Sequence, residues 1–375
     1  MANEEFTHCI LPLLKDIGYR HEPFPPHDAL YWDSFHQWIL KVLGPTSSFD
    51  DNQLAELAQT SGTIIERSYP YTSTEFKLLY AKLTAISILI DDSIEDETLH
   101  QHLVQFSNKI YRGQAQENAL LALYDDALKE LSEIHEKDAF LRNLAILPWI
   151  NHVDACLIEK QLIILERNRS EAEGDELSRL AREDSLASKF PHYLRYKSGF
   201  SDTYVAAIFK AHREQYVPLN KYLKAVPDMI SFIEIINDVL SFHKEEMDGE
   251  TYNLIHLRTR SIAASGSMAG TGPEGTWTPY DTLRLLCDEL RDATHRIDGL
   301  LRLEECERKL RGELGFNDID NVDVTIAMQW RGWRHGYISW HLECRRYKLD
   351  FLKSMVVAEQ NGAREFTSDA KRFGM

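Results

Sequence analysis

Apolar side chains recur every three or four residues through almost the whole chain, as in LYAKLTAISILI, NALLALYDDALKELSEI, MISFIEIINDVLSF and DTLRLLCDELRDATHRIDGLLRL. That period is the helical one, because residues three and four apart share a face of an α-helix. Alternating β-branched runs bounded by turn residues are absent, so the pattern gives no support to an all-β or α/β fold. The spacing predicts an all-α protein of long helices joined by short polar connections containing proline or glycine. Segment 261–279, SIAASGSMAGTGPEGTWTP, departs from the pattern with glycine, serine and threonine. Such a composition suits a linker or a surface loop. Chemically related residues lie on both sides of it, which favours a loop inside one domain spanning residues 1–375.

The chain has 42 Lys and Arg against 59 Asp and Glu, a formal net charge of −17. That balance argues against nucleic acid, whose phosphates demand basic patches, and against an anionic membrane surface. An anionic ligand would need metal cations or a local cluster of arginine and lysine. The five cysteines, Cys9, Cys156, Cys287, Cys306 and Cys344, are scattered, odd in number and without CxxC spacing. Neither a disulfide framework nor a zinc site is expected, and a reducing compartment fits. The opening residues carry acids and no basic n-region, so no secretory signal is expected there. The stretch AFLRNLAILPWI is interrupted by Arg142 and Pro148, and no apolar run approaches the roughly 18 residues of a membrane span. A cytoplasmic protein is predicted.

Residues 86–97, ISILIDDSIEDE, carry a nearly continuous apolar run straight into Asp91, Asp92, Glu95, Asp96 and Glu97. If the helix continues, Asp91 shares a face with Glu95 and Asp92 with Asp96. Like charges so placed repel by a few tenths of a kcal/mol per pair, and a helix C-terminus disfavours anions as well. Carboxylates set against both effects point to a bound cation, and oxygen ligands favour Mg²⁺ or Ca²⁺ over zinc. A solvated acidic helix end is the plainer alternative. An EF-hand counted from Asp91 fails, because its sixth position is Asp96 and its twelfth His102.

Three further patterns accompany the acids. Asn237, Ser241 and Glu245 fall at i, i+4 and i+8, one line of amide, hydroxyl and carboxylate oxygens along an otherwise apolar helix. In HGYISWHLECRRYKL, Tyr337, Trp340, Cys344 and Tyr347 fall at i, i+3, i+7 and i+10, with Arg345 and Arg346 beside them. Aromatic rings at helical spacing are usually core, but paired arginines add bidentate donors for phosphate. In FPHYLRYKSGF, Arg195 stands four residues before Gly199.

Together these motifs resemble those of class I terpene cyclases, over roughly residues 75 to 350. Asp91, Asp92 and Glu95 match the family's DDxx(D/E). Asn237, Asp238, Ser241 and Glu245 match its (N/D)Dxx(S/T)xxx(D/E), with Lys244 at a frequent lysine position, and Arg346–Tyr347 match its C-terminal Arg-Tyr pair. NDVLSFHKE and HGYISWHLECRRYKL are particularly similar to fungal trichodiene synthase and its relatives. The resemblance implies one antiparallel all-α bundle, the class I terpenoid synthase fold, around an apolar pocket. It implies a sesquiterpene cyclase taking farnesyl diphosphate with three Mg²⁺ ions, or Mn²⁺ in their place. Asp91 and Glu95 would hold metal from one side, and Asn237, Ser241 and Glu245 from the other, with Asp92 paired to a basic residue.

Arg195 would sense the diphosphate, Ser198 and Gly199 would mark a helix break, and Lys244, Arg346 and Tyr347 would complete the grip. Tyr337 and Trp340 would face the carbocation, with Phe200 or Tyr204, and the 261–279 loop would serve as a lid. Relatives of this kind are often homodimers. The alternatives are a chain-elongating prenyltransferase, which usually repeats the aspartate-rich motif, and a catalytically inactive helical scaffold. Two departures stand out: Cys344 replaces an aspartate of trichodiene synthase, and Thr84 and Ile86 replace tyrosines. The pocket contour should therefore differ, and the product should not be trichodiene.

Overall fold

The computed structural model describes residues 2–170, 174–313 and 319–372, among which there are helices and turns but no strand. The helices are α1 (Ala2–Asp16), α2 (Ala29–Trp38), α3 (Asp51–Ser68), α4 (Thr74–Asp92), α5 (Glu97–Tyr111) and α6 (Ala119–Ile134). There follow α7 (Ala139–Ser170), α8 (Asp175–Leu186), α9 (Phe190–Ser198), α10 (Ser201–Ile208) and α11 (Val226–Asp248). The rest are α12 (Leu254–Ser265), α13 (Pro279–Leu300), α14 (Leu303–Leu310), α15 (Asn321–Glu343) and α16 (Asp350–Arg372). The all-α expectation holds.

Side-chain chemistry starts several of these helices where the sequence changes character. Asp50 with Gln53, Thr278 with Asp281 and Asp320 with Asp323 form reciprocal capping boxes at the starts of α3, α13 and α15, each satisfying amide donors that a helix end otherwise orphans. Helices α4, α10, α11 and α15 are apolar on most sides, as expected of elements at the centre of a bundle. Every residue of α10 is buried, as are Phe76, Leu79, Tyr80, Leu83, Ile86, Leu89 and Ile90 of α4. Pro148 sits inside the continuous 32-residue α7. No helix among the described residues is long and apolar enough to cross a membrane.

Segment 261–279 is more ordered than its composition implies. Its first five residues complete α12, and Thr271 donates to Asp281 through both its amide (3.0 Å) and its hydroxyl (2.8 Å). Trp277 Nε1 donates to the Thr282 hydroxyl at 2.7 Å. These bonds tie the loop to the start of α13. Glycine and serine there allow tight turns, and Asp281 supplies the acceptor that gathers them.

Helix α15 crosses α3 at Gly336, where a Cβ would stand 1.9 Å from the Arg67 carbonyl oxygen. Backbone cannot retreat as a side-chain tip can. Gly336→Ala is expected to cost about 3 kcal/mol, the upper end for overpacking, read as a lowered urea midpoint.

Of the four histidines buried among the described residues, His135, His152 and His341 are the least exposed. Burial depresses them to about 3, 4 and 3 respectively, with Lys210 adding to the effect at His135. Neither ring nitrogen of His135 has a hydrogen-bond partner. A lowered folded pKa means that the unfolded chain binds the extra proton between those values and about 6.5, so stability falls as pH drops through that window. From pH 7 to pH 5 the loss should be about 2 kcal/mol per histidine. His135→Leu should remove one such share of the slope in denaturant titrations at the two pH values.

Candidate active site

The acidic run divides between two helices. Helix α4 stops at Asp92, and Ser93, Ile94 and Glu95 form a turn closed by Ile94 N–H to the Asp91 carbonyl (3.2 Å). Asp96 then caps α5, accepting from the amides of Thr98 (2.8 Å) and Leu99 (3.2 Å), and Glu97 pairs with Lys160 at 2.7 Å. The expected shared faces of Asp91 with Glu95 and Asp92 with Asp96 are therefore not formed. Carboxylates are more stable at the N-terminus of α5 than at the C-terminus of α4, and the break relieves their repulsion. Only Asp91 and Asp92 remain at the end of α4.

Those two carboxylates meet cations from three other parts of the chain. Burial raises the Asp91 pKa, and Arg346 opposes this most strongly, with Glu250 adding to the rise and Arg195 and Lys244 opposing it. Asp91 is itself exposed to solvent, although protein crowds its carboxyl. Burial likewise raises Asp92, and the charge of Arg346 opposes this. Sequence reasoning missed a further acid: Glu159 of α7, pushed up to about 8 by burial and then by Asp91. Nothing in the local pattern of α7 distinguishes Glu159 from its neighbouring charges, so only packing reveals it.

On α11, the line Asn237, Ser241 and Glu245 is present as the spacing predicts, with Ser241 buried and the other two partly buried. Arg195 comes to it from α9. Its Nη2 donates to Asn237 Oδ1 (2.9 Å) and to the Glu234 carbonyl (3.4 Å), and its Nε stands 2.6 Å from Asp238 Oδ2. Burial alone would lower the Arg195 pKa, but Asp238 and then Glu234 outweigh it and lock the guanidinium in its charged form. Glu245 is raised to about 7, by burial and then by Asp238, and its Oε2 is buried without a hydrogen-bond partner. Lys244 pairs with Glu250 and stands 3.7 Å from Asp248.

Between α9 and α10 the helix breaks at Gly199 and Phe200, one residue beyond the Ser198–Gly199 break that the resemblance implies. Phe200 adopts φ 53°, ψ 15°, a left-handed conformation that costs a non-glycine residue on the order of 1–3 kcal/mol. The ring so placed lies 4.6 Å from Trp149 and 4.4 Å from His152. A Cβ on Gly199 would stand 2.9 Å from the Arg195 carbonyl and 3.4 Å from its guanidinium, so this glycine leaves room for Arg195.

The aromatic stripe is also divided. Helix α15 ends at Glu343, Cys344 is extended, and Arg345–Tyr347 form a separate turn closed by Lys348 at φ 57°. Tyr347 therefore does not continue the face of Tyr337, Trp340 and Cys344, yet its ring folds back to 5.2 Å from Trp340 and 4.5 Å from His341. Tyr337 stacks on Trp333 at 4.7 Å, and Trp340 donates from Nε1 to the Thr63 hydroxyl at 2.8 Å. Thr84 and Tyr204 join their hydroxyls across the interior at 3.3 Å. Threonine in place of tyrosine thus contributes a polar contact to this wall.

A cavity of about 960 Å³ opens beside this centre, lined in part by Asp92, Trp340 and Arg346. Gln53, Glu56, Thr60 and Arg67 of α3 line it as well. The expected apolar pocket is therefore mixed in character on this side. Asn237, Ser241, Glu245, Arg195 and Tyr337 do not line it. Aromatic rings pack in the interior nearby, Trp149 against Phe200 and Tyr204, and Trp333 against Tyr337.

The chain has the all-α class I terpene synthase fold, shown by its solved neighbours. Germacradien-4-ol synthase from Streptomyces citricolor superposes with a TM-score of 0.56 at 15% identity, over 87% of this chain and 98% of that one. Linalool/nerolidol synthase from Streptomyces clavuligerus, in complex with 2-fluorogeranyl diphosphate, gives 0.57 at 13% identity over 85% and 100%. In sequence, the chain is similar to fungal terpene synthases. It is 29% identical over 281 residues to terpene synthase BipA of Cochliobolus sativus, covering 75% of this chain and 71% of that protein. It is 25% identical over 312 residues to the (E)-beta farnesene synthase of Metarhizium brunneum, covering 82% and 78%. No family model matches the chain.

Proposed function

We propose that the protein is a sesquiterpene cyclase of trichodiene synthase type, ionising farnesyl diphosphate and folding the cation into a cyclic hydrocarbon or alcohol. One observation carries this reading: Asp91, Arg195, the Asn237–Glu245 row and Arg346 converge from separate helices at the edge of an aromatic interior. The likeness to named terpene synthases supports it.

The donor set fits a hard divalent cation. Glu245 Oε2 is buried without a partner, and amide and hydroxyl oxygens from Asn237 and Ser241 share its helical face. Among the described residues no three His, Cys, Asp or Glu side chains converge on one point. A cation would therefore rest on mixed neutral and anionic oxygens, the kind Mg²⁺ shares with substrate phosphates. Asp91 would hold it from α4, with Glu95 reaching in from the turn, and Asn237, Ser241 and Glu245 from α11. Bound Mg²⁺ supplies charge that stabilises the departing diphosphate.

The chain's own groups perform the remaining tasks. Arg195, Lys244 and Arg346 donate to phosphate oxygens where negative charge grows, and Tyr347 packs beside them. Tyr337 and Trp340, with Phe200 or Tyr204, offer ring faces, each worth about 0.5–2 kcal/mol to a cation. The aromatic interior keeps water from quenching the cation. All five cysteines are unpaired, which supports a cytoplasmic location.

The test is incubation with farnesyl diphosphate and Mg²⁺, followed by gas chromatography of an organic extract. A cyclic sesquiterpene, lost on chelation of the metal, is the expected result. Absence of any cyclic product overturns the reading, and longer prenyl diphosphates on adding isopentenyl diphosphate would indicate chain elongation instead.

A further inference from the structure

The second-row asparagine is held by a residue that the function does not otherwise use. His341 is fully buried on α15, with its ring 4.6 Å from both Tyr337 and Trp340 and 4.5 Å from Tyr347. Its Nδ1 lies 2.9 Å from the Tyr337 carbonyl one turn earlier. A carbonyl can only accept, so the ring proton of the neutral imidazole sits on Nδ1, and Nε2 is left as an acceptor. Asn237 Nδ2 stands 3.3 Å from that Nε2 and donates also to the Tyr337 hydroxyl at 3.2 Å. At the other end of the amide, Oδ1 accepts from Arg195 at 2.9 Å.

This arrangement admits one orientation of the amide. Rotating it by half a turn would set Oδ1 against the Nε2 lone pair and Nδ2 against the guanidinium, leaving two buried mismatches. Such mismatches cost on the order of 1–3 kcal/mol each. The orientation matters because Asn237 has a single oxygen to offer. A flipped amide would turn nitrogen, which carries protons and no usable lone pair, toward the side of Arg195.

We infer that His341 is a positioning residue: as a fixed hydrogen-bond acceptor from α15, it sets the Asn237 amide so that its oxygen faces the cationic centre. The inference rests on the reading of Asn237 as a ligand, but the orientation itself is a property of the metal-free protein. Partners that aim a ligand in this way typically carry about ten- to hundredfold in metal affinity.

Two measurements test it. In the metal-free protein, the Asn237 side-chain amide protons should exchange slowly by NMR, and His341→Phe, which preserves the ring stack but deletes the acceptor, should make them fast. In calorimetry with Mg²⁺ and inorganic pyrophosphate, His341→Phe should weaken binding by about ten- to hundredfold. His341→Gln, whose carbonyl can replace Nε2, should largely restore binding, and His341→Phe should add nothing in an Asn237→Ala background.

Unchanged exchange and unchanged affinity in His341→Phe overturn the inference. So do equal losses in His341→Phe and His341→Gln, or a loss that persists without Asn237, since either result would mean packing alone. If wild-type protein fails to bind magnesium pyrophosphate while the exchange result holds, the proposed function falls and the orienting role stands.

Discussion

Arg195→Met should abolish product formation and destabilise the protein by about 3–5 kcal/mol, the usual consequence of deleting one partner of a buried ion pair. The side chains of Arg195 and Asp238 are 16% and 7% exposed, and they meet at 2.6 Å. Removing the guanidinium strands Asp238, strands the already raised Glu234 carboxyl, and frees the Asn237 oxygen. Stability and chemistry should then separate in the double variant. Arg195→Met combined with Asp238→Leu removes both charges, so most of the lost stability should return in a urea titration. Activity should not return, because no donor remains for the diphosphate on that side. Recovery of both, or of neither, would mean that Arg195 has a different role from the one its contacts describe.

The second large effect runs in opposite directions for stability and catalysis. Asp91→Asn keeps the shape of the side chain and removes its charge. Removing a group that stabilises charge developing in the transition state costs on the order of 10²–10³-fold in kcat, and a loss of that size is expected with farnesyl diphosphate. Yet the free protein should become more stable. Burial raises the folded-state pKa of Asp91 above that of the unfolded chain, so ionisation at pH 7 works against folding, and the effect disappears below the unfolded value. A higher Tm at pH 7 in the absence of metal, converging with wild type as pH falls toward 3, is the signature. A lowered Tm at pH 7 would show that Asp91 is a structural ion-pair partner and not a site group held at a cost in stability.

Much of the architecture was legible in advance, for a definite reason. Helical periodicity reports which face of each segment is buried, and here it persists through α4, α6, α11 and α13. The row Asn237, Ser241 and Glu245 was legible too, because it lies wholly within α11 and its spacing is a property of one straight helix. The acidic run and the aromatic stripe are less legible, because each runs through a helix end that spacing alone does not mark. Asp96 and Asn253 show how a single capping side chain can begin a helix, and at Asp92 and Glu343 helices end inside motifs that look continuous on paper.

The chain's sequence alone determined the helical class, the location of its charged and aromatic motifs, and the chemistry those residue types can support. These depend on interactions within about one turn of helix, which local spacing encodes. Tertiary structure alone decided that Glu159 stands beside Asp91, that Arg195 divides itself between Asn237 and Asp238, and that His341 aims an amide 104 residues away. Such pairings arise from how helices cross, and the crossing of α3 and α15 turns on one missing Cβ at Gly336. No periodicity within a single helix carries that information, because packing joins side chains that are remote along the chain.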